Sequence, residues 1–200
     1  MMEKDATVEE ATAMRRRQVY RSIAWAVCLG LVSILILPGA SSARSAQEID
    51  ASVTAVLNRF TQQVKGSREL LQTARGVLVF ADVIKAGIGV GGEYGEGALR
   101  IRGKTVAYYS IAAASIGIQF GAQKKDIIIV FLQDKALKDF QTSDGWQVGV
   151  DGSVVLVDLG AGASIDSSKL NKPIVGFVVG QKGLMYNLTL EGAKITKLKK

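Results

Sequence analysis

The run Gly87-Ile-Gly-Val-Gly-Gly-Glu-Tyr-Gly-Glu-Gly97 decides the fold, because it admits two opposite readings. Its first six residues satisfy G-x-G-x-x-G, the phosphate-cradling turn of a dinucleotide-binding unit. That turn needs a helix directly after it and an acidic residue about 20 positions on. Here the following residues, Glu93 to Gly97, are poor helix material, and positions 107 to 114 read Ala-Tyr-Tyr-Ser-Ile-Ala-Ala-Ala. Nucleotide binding is thereby excluded. The other reading is a strand with Gly87, Gly89 and Gly91 on one face, matched by Ala113, Ser115, Gly117 and Gly121 on a second strand. A face without side-chain bulk lets another part of the chain approach closely.

Strand signals extend outward from this run. Val77 to Phe80 and Ile127 to Leu132 are apolar stretches that suit buried strands. Ala98 to Arg102 and Thr105 to Tyr109 flank Gly103-Lys104, which predicts a tight hairpin. Trp146 to Val150 and Ser153 to Val157 flank Asp151-Gly152, a strong two-residue hairpin signal. Val175 to Val179 and Leu184 to Leu190 flank Gly180 to Gly183, and Glu191-Gly192 returns the chain into Lys194 to Leu198. Consecutive hairpins predict an antiparallel meander that curls toward closure.

Upstream the period changes. Ser45 and Glu48 have capping-box spacing. Ile49, Val53, Val56, Leu57, Phe60 and Val64 then recur at three- and four-residue intervals, predicting an amphipathic helix over 47–65 that ends near Gly66. Ser67 is expected to cap a short turn, and Asp134 a short helix carrying Ala136, Leu137 and Phe140. The fold class is therefore α+β and mostly β: an antiparallel curved sheet or small closed barrel, with the N-terminal helix filling the volume over the small-residue faces.

Residues 1–43 read as an N-terminal extension and secretory signal peptide, and residues 44–200 as one domain. Arg15, Arg16, Arg17 and Arg21 precede the uncharged run Ile23 to Leu37, and small residues fill Ala40 to Ala43. Arg16-Arg17-Gln18-Val19-Tyr20 has the form of a twin-arginine signal. The apolar run is shorter than the roughly 20 residues of a spanning helix. The expected location is periplasmic or secreted, peripheral to the membrane; a signal-anchored inner-membrane protein is the alternative.

The chain has no histidine, and its one cysteine, Cys28, lies inside the apolar run. These absences argue against His-based triads, His/Cys metal sites, thiol nucleophiles and disulfides. No catalysis, metal or cofactor is expected. Glu93 and Glu96 are the one carboxylate pair worth testing as a glycosidase acid and base; flanking a glycine turn, they read as surface glutamates. Asp144, Asp151, Asp158 and Asp166 lack the dense oxygen spacing of a calcium loop and read as turn residues.

What remains is charge. The formal net charge is +7; five of the 25 Lys+Arg and four of the 18 Asp+Glu precede Arg44, which leaves +6 for the domain. A basic surface attracts anionic partners, phospholipid headgroups among them, and an exported chain meets no nucleic acid. The candidate headgroup-binding residues are Arg59 and Lys65 on the helix, Arg68 after it, Lys124 and Lys125 at a turn before a strand, and Lys194 and Lys197 near the C-terminus. The expected partner of a monomer is an anionic phospholipid or membrane surface, with an envelope protein docked on a strand edge as the rival. A membrane-spanning barrel needs unbroken outward apolar bands, which Arg100, Arg102, Lys124 and Lys125 interrupt.

Taken together, several stretches resemble the SYLF domain family. They are Gly76-Val-Leu-Val-Phe-Ala-Asp-Val-Ile-Lys-Ala-Gly87, Gly89-Val-Gly-Gly-Glu-Tyr-Gly-Glu-Gly97, Tyr108-Tyr-Ser110 and Gly121-Ala-Gln-Lys-Lys-Asp-Ile-Ile-Ile129. Gly145-Trp-Gln-Val-Gly-Val-Asp-Gly-Ser153 and Gly183-Leu-Met-Tyr-Asn-Leu-Thr-Leu-Glu-Gly192 continue the likeness, which covers residues 50–198. It implies phosphoinositide or other phospholipid binding without catalysis, and an actin-binding-type activity in eukaryotic members. With an export signal in front, the chain resembles a stand-alone bacterial member whose natural ligand is anionic lipid.

Overall fold

The capping box opens the first helix in a computed structural model that describes residues 44–158, 165, 171–182, 190 and 192–200. Ser45 N–H donates to Glu48 Oε2 at 2.7 Å, and Glu48 N–H donates back to Ser45 Oγ at 3.2 Å. Helix α1 (Ala46–Gln63) follows, burying Ile49, Val53, Val56 and Phe60 in one stripe. Gly66, at φ +83°, turns the chain into α2 (Ser67–Thr73). Gly66, not Ser67, occupies the capping position of α2. Ser67 is buried instead, donating its hydroxyl to the Phe60 and Val64 carbonyls. The expected signal segment 1–43, Asp166 and strand residues 184–189 lie outside the described residues.

The short strands expected between residues 77 and 132 are in fact two long ones. β1 (Gly76–Ile101) and β2 (Lys104–Phe131) pair antiparallel along their whole length, from Gly76 opposite Phe131 to Ile101 opposite Lys104. Arg102 (φ +51°) and Gly103 (φ +77°) form the tip. Two successive positive φ values match a hairpin turn whose twist suits the flanking strands, one residue earlier than the spacing suggested. Glu93 to Gly97 and Lys124-Lys125, both expected at turns, are strand residues.

This hairpin bends on itself. Register shifts fall between Phe80 and Val83 and between Ile88 and Val90. They bring the start of β1 against its own later half. A Cβ built on Gly97 would lie 2.0 Å from the Val79 carbonyl oxygen, and one on Gly95 would lie 2.7 Å from Val83 Cγ2. Gly87 likewise has the Gly91 Cα where its side chain would be, at 2.2 Å. The volume missing at these glycines is filled by β1 itself and not by the helix, which corrects the sequence expectation.

Helix α3 (Asp134–Thr142) follows β2; Gln133 rather than Asp134 stands at its N-terminal boundary. Among the described residues, β3 (Trp146–Gln147), β4 (Val155–Asp158), β5 (Ile174–Lys182) and β6 (Lys194–Leu198) complete a six-stranded sheet. β2 carries β1 along one edge, and β5 and β6 at opposite ends of the other. The Asp151-Gly152 hairpin does not form. β3 pairs with β6, β4 runs parallel to β5, and β2 lies between β5 and β6, so among the described strands only β1 and β2 form the consecutive antiparallel pair that a meander requires. The reason is packing: Trp146 is buried, and a Cβ on Gly152 would meet its indole at 2.6 Å. The 147–152 segment therefore coils against Trp146, held by Asp151 N–H to the Gln147 carbonyl at 2.9 Å.

The result is a mostly β, curled half-barrel with an N-terminal helix packed on it, within one compact unit spanning Arg44–Lys200. α1 covers the outer face through Val77, Val79, Ala98, Ile128 and Phe177, with Phe60 and Phe177 rings 5.1 Å apart. Inside, Phe140 of α3 sits 4.9 Å from Tyr109, 5.0 Å from Phe131 and 5.6 Å from Trp146. Aromatic clusters of this kind add about 0.5–1.5 kcal/mol per pair beyond area burial.

Candidate functional site

The two glutamates with the spacing of an acid–base pair are buried, and they face opposite sides of β1. Alternation along a strand separates positions 93 and 96. Glu93 points inward, with Oε2 3.0 Å from Lys125 Nζ and the two side chains 5 % and 1 % exposed. Glu96 points outward, accepting from the Tyr94 hydroxyl at 3.1 Å and pairing with Lys200 Nζ at 3.2 Å. Lys200 also donates to the Arg44 carbonyl. Burial, and then the Glu96 carboxylate, raise the Tyr94 phenol above its ordinary range. The surface-glutamate expectation is thus corrected, and two carboxylates on opposite faces have no common substrate to act on.

The predicted cations scatter. Arg59 is held by Asp126 at 2.6 Å, and the other oxygen of Asp126 accepts Asp82 N–H at 2.9 Å, so this carboxylate ties α1 to the bulge of β1. Lys124 pairs with Asp82 at 2.9 Å. Lys65 and Arg68 are exposed beside the α1–α2 junction, and Lys194 and Lys197 are exposed on β6. Lys125 is corrected as a surface cation. It lies one residue beyond Lys124 in a strand and therefore faces the interior.

Two of these cations flank a feature that residue spacing did not single out. Where the hairpin bends, the outer face passes beyond the cover of α1. Ile84, Val90 and Tyr94 stand there 55 %, 69 % and 51 % exposed, with exposed Ala86, Ala112, Ala114 and Ala122 on the same bend. Register places Lys124 directly opposite Ile84, and Ala112 bridges Tyr94 to Lys194 of β6. An exposed apolar strip on a sheet face with lysines at both ends marks an interaction surface. That these positions share one uncovered face depends on the register shifts of β1, and neither the shifts nor the exposure was legible in the sequence.

Three surface hollows differ in charge. One, about 280 Å³, sets Arg59, Lys124 and Lys125 against Asp82 and Asp126. Another, about 430 Å³, sets Lys135 and Lys172 against Asp139 and Asp151. The third, about 460 Å³, lies under the hairpin tip between α1, α2 and β1. Its walls are apolar, from Leu57, Leu71, Ala74 and Val77, and its charges are Arg100 and Arg102 with no acid among the lining residues. Arg100 donates to the Asp50 carbonyl and to Thr54 Oγ1, which fixes it to α1, and its Nε is buried without a hydrogen-bond partner. Arg68, a turn before Leu71 and Gln72 on α2, adds positive charge nearby.

Among the described residues there is no group of three His, Cys, Asp or Glu side chains placed to hold a metal ion. None of the described helices is long and apolar enough to cross a membrane.

A curled sheet with an apolar strip, lysine ends and an acid-free basic groove defines a binding module. Residues 112–200 match the model of the Ysc84 family, described as Las17-binding protein actin regulator, and this is the SYLF family that the sequence resembles. The matched stretch begins within β2 and runs to the last residue; β1 and the helices before it precede the match. No curated protein matches the chain.

Proposed function

We propose that the domain is an exported, non-catalytic module that binds anionic phospholipid at the membrane surface, without cofactor. The observation that carries this is the strip Ile84–Val90–Tyr94 with Lys124 and Lys194 at its two ends. Apolar side chains half or more exposed gain about 25 cal/mol per Å² when they enter the headgroup–acyl boundary. Each lysine near an anionic surface adds on the order of 1 kcal/mol, less for Lys124 while Asp82 holds it. A headgroup phosphate competes with that exposed partner at little cost, because surface ion pairs contribute only about 0–1 kcal/mol.

Co-sedimentation of the purified chain with vesicles of phosphatidylcholine, with and without phosphatidylglycerol, tests this reading. Binding should rise with the anionic fraction and weaken with salt. Val90→Asp should abolish it, and Lys124→Ala with Lys194→Ala should weaken it by up to roughly thirtyfold, about 2 kcal/mol. Binding indifferent to anionic lipid, or retained in Val90→Asp, refutes it.

The acid-free groove supports a second reading, capture of a single anionic amphiphile with its chain against Leu57 and Leu71 and its head at Arg100 and Arg102. Arg102→Asn suits the left-handed backbone there and removes one charge. Loss of lipid binding in that variant, with Val90→Asp unaffected, selects the groove over the strip. The family description also names an actin regulator, so an envelope protein partner is the outcome indicated by pull-down without vesicle binding.

A further inference from the structure

One end of the sheet interior is polar where the rest is hydrocarbon. On the inward face of the β1–β2 hairpin, Val83 stands opposite Lys125 and Lys85 opposite Gln123. Lys85 is 5 % exposed, and Gln123 and Lys125 are more deeply buried. Glu93, from the returning half of β1, lies over this face and reaches Lys125 at 3.0 Å. Among the described residues Glu93 pairs with Lys125 and not with Lys85. Lys85 has no hydrogen bond or ion pair among the described residues, and Lys125 Nζ is enclosed without a well-formed hydrogen bond despite its ion pair.

Drawing a lysine more than nine-tenths out of water with no acid at its side is costly, and a core built for stability alone would place an apolar residue at position 85. The neighbouring positions do so: Val83 and Ile127 continue the same face into the aromatic core. Lys85 and Lys125 occupy diagonal positions of an antiparallel pair, roughly 7 Å apart at Cβ. Their flexible stems can bring both ammonium groups onto one small anion with several acceptor oxygens. Lys85, the less enclosed of the two, is where such an anion enters.

We propose that this end of the sheet interior binds a phosphate or carboxylate oxyanion between Lys85 and Lys125, with Glu93 sharing Lys125. The site lies on the face of β1 opposite the Ile84–Tyr94 strip and does not depend on bilayer binding. The oxyanion belongs either to a free ion or to a lipid head.

Thermal unfolding of the purified chain in buffer free of phosphate and sulfate tests it, with inorganic phosphate in one arm and monomeric dihexanoyl phosphatidic acid in the other. At about a hundred times its dissociation constant the ligand should raise the melting temperature by roughly 5–10 °C. Phosphate also stabilises folds generally by exclusion from their surfaces, so the decisive quantity is the difference from Lys85→Met. That variant should lose the ligand-dependent rise and melt higher than the parent without ligand, because an uncompensated charge is gone; Lys85→Arg should keep the rise. A response to both ligands assigns the site to the oxyanion alone, and a response only to the lipid makes the acyl chain part of the ligand. No rise in either arm, or an undiminished rise in Lys85→Met, overturns the proposal. Should Lys85→Met not fold, acetylation of the unaltered chain read by mass spectrometry replaces it. Lys85 must then lose reactivity as the ligand is added while Lys65 does not, and parallel behaviour of the two overturns the proposal equally.

Discussion

Replacing Gly97 with alanine places a methyl group 2.0 Å from the Val79 carbonyl oxygen, 2.8 Å from the Val79 carbonyl carbon and 2.7 Å from Phe80 Cδ1. Overpacking a core costs about 1–3 kcal/mol where side chains can shift aside. Here the obstacle is backbone inside a paired strand, so the upper end applies. At about 3 kcal/mol, a domain of this size should lose roughly 6–12 °C in melting temperature. Gly92 is the internal control, with nothing nearer its Cβ position than the Ala113 carbonyl at 3.9 Å. Gly92→Ala should be neutral or stabilising by about 0.4–1 kcal/mol, because alanine narrows the unfolded ensemble. Urea unfolding followed by the fluorescence of buried Trp146 and by circular dichroism gives both numbers. The slope should be unchanged while the midpoint moves. A Gly97→Ala midpoint within about 0.5 kcal/mol of the parent would mean that β1 does not cross itself there; an equal loss in Gly92→Ala would mean that strand glycines matter for another reason.

Two further outcomes follow from the charged groups. Glu93→Gln leaves the buried Lys125 ammonium without its counter-charge and should cost about 3–5 kcal/mol in anion-free buffer, most of it recovered when Lys125→Met is added; a single variant within about 1 kcal/mol of the parent contradicts the buried pair. At Glu48, the Ser45 backbone N–H and then the Ser45 hydroxyl hold the carboxylate below its ordinary value of 4.5. Its contribution to α1 is therefore complete above pH 4.5 and fades as pH falls through the lowered value. The stability gap between the parent and Glu48→Gln in urea should close toward acid pH, and a gap independent of pH would contradict the capping role.

Patterns confined to one element were legible in the sequence. The α1 stripe, the capping box, the Leu137–Phe140 face of α3 and the extent of β6 follow from periods of 3.6 and 2 and from side-chain chemistry within a few residues, whereas β5 runs on through Gly180 to Lys182, where a turn was expected. The Asp151-Gly152 turn was misread because a local signal competed with burial of Trp146 some six residues away, and burial won. The cations fared similarly. Their types were plain, but Lys124 and Lys125 are neighbours in sequence with opposite fates, decided by which way each points from a strand whose continuity could not be seen.

By itself the sequence determined that this chain is a mostly β protein with an N-terminal amphipathic helix and with no histidine or thiol in its domain for chemistry. Those properties reside in composition and short-range period. Tertiary structure alone decided that the glycines serve a strand folding onto itself, that Ile84, Val90 and Tyr94 stay uncovered, and that Lys85, Glu93 and Lys125 meet inside. Each depends on contacts between residues far apart along the chain, where bulges set the direction of the strand and the direction sets which neighbour a side chain meets.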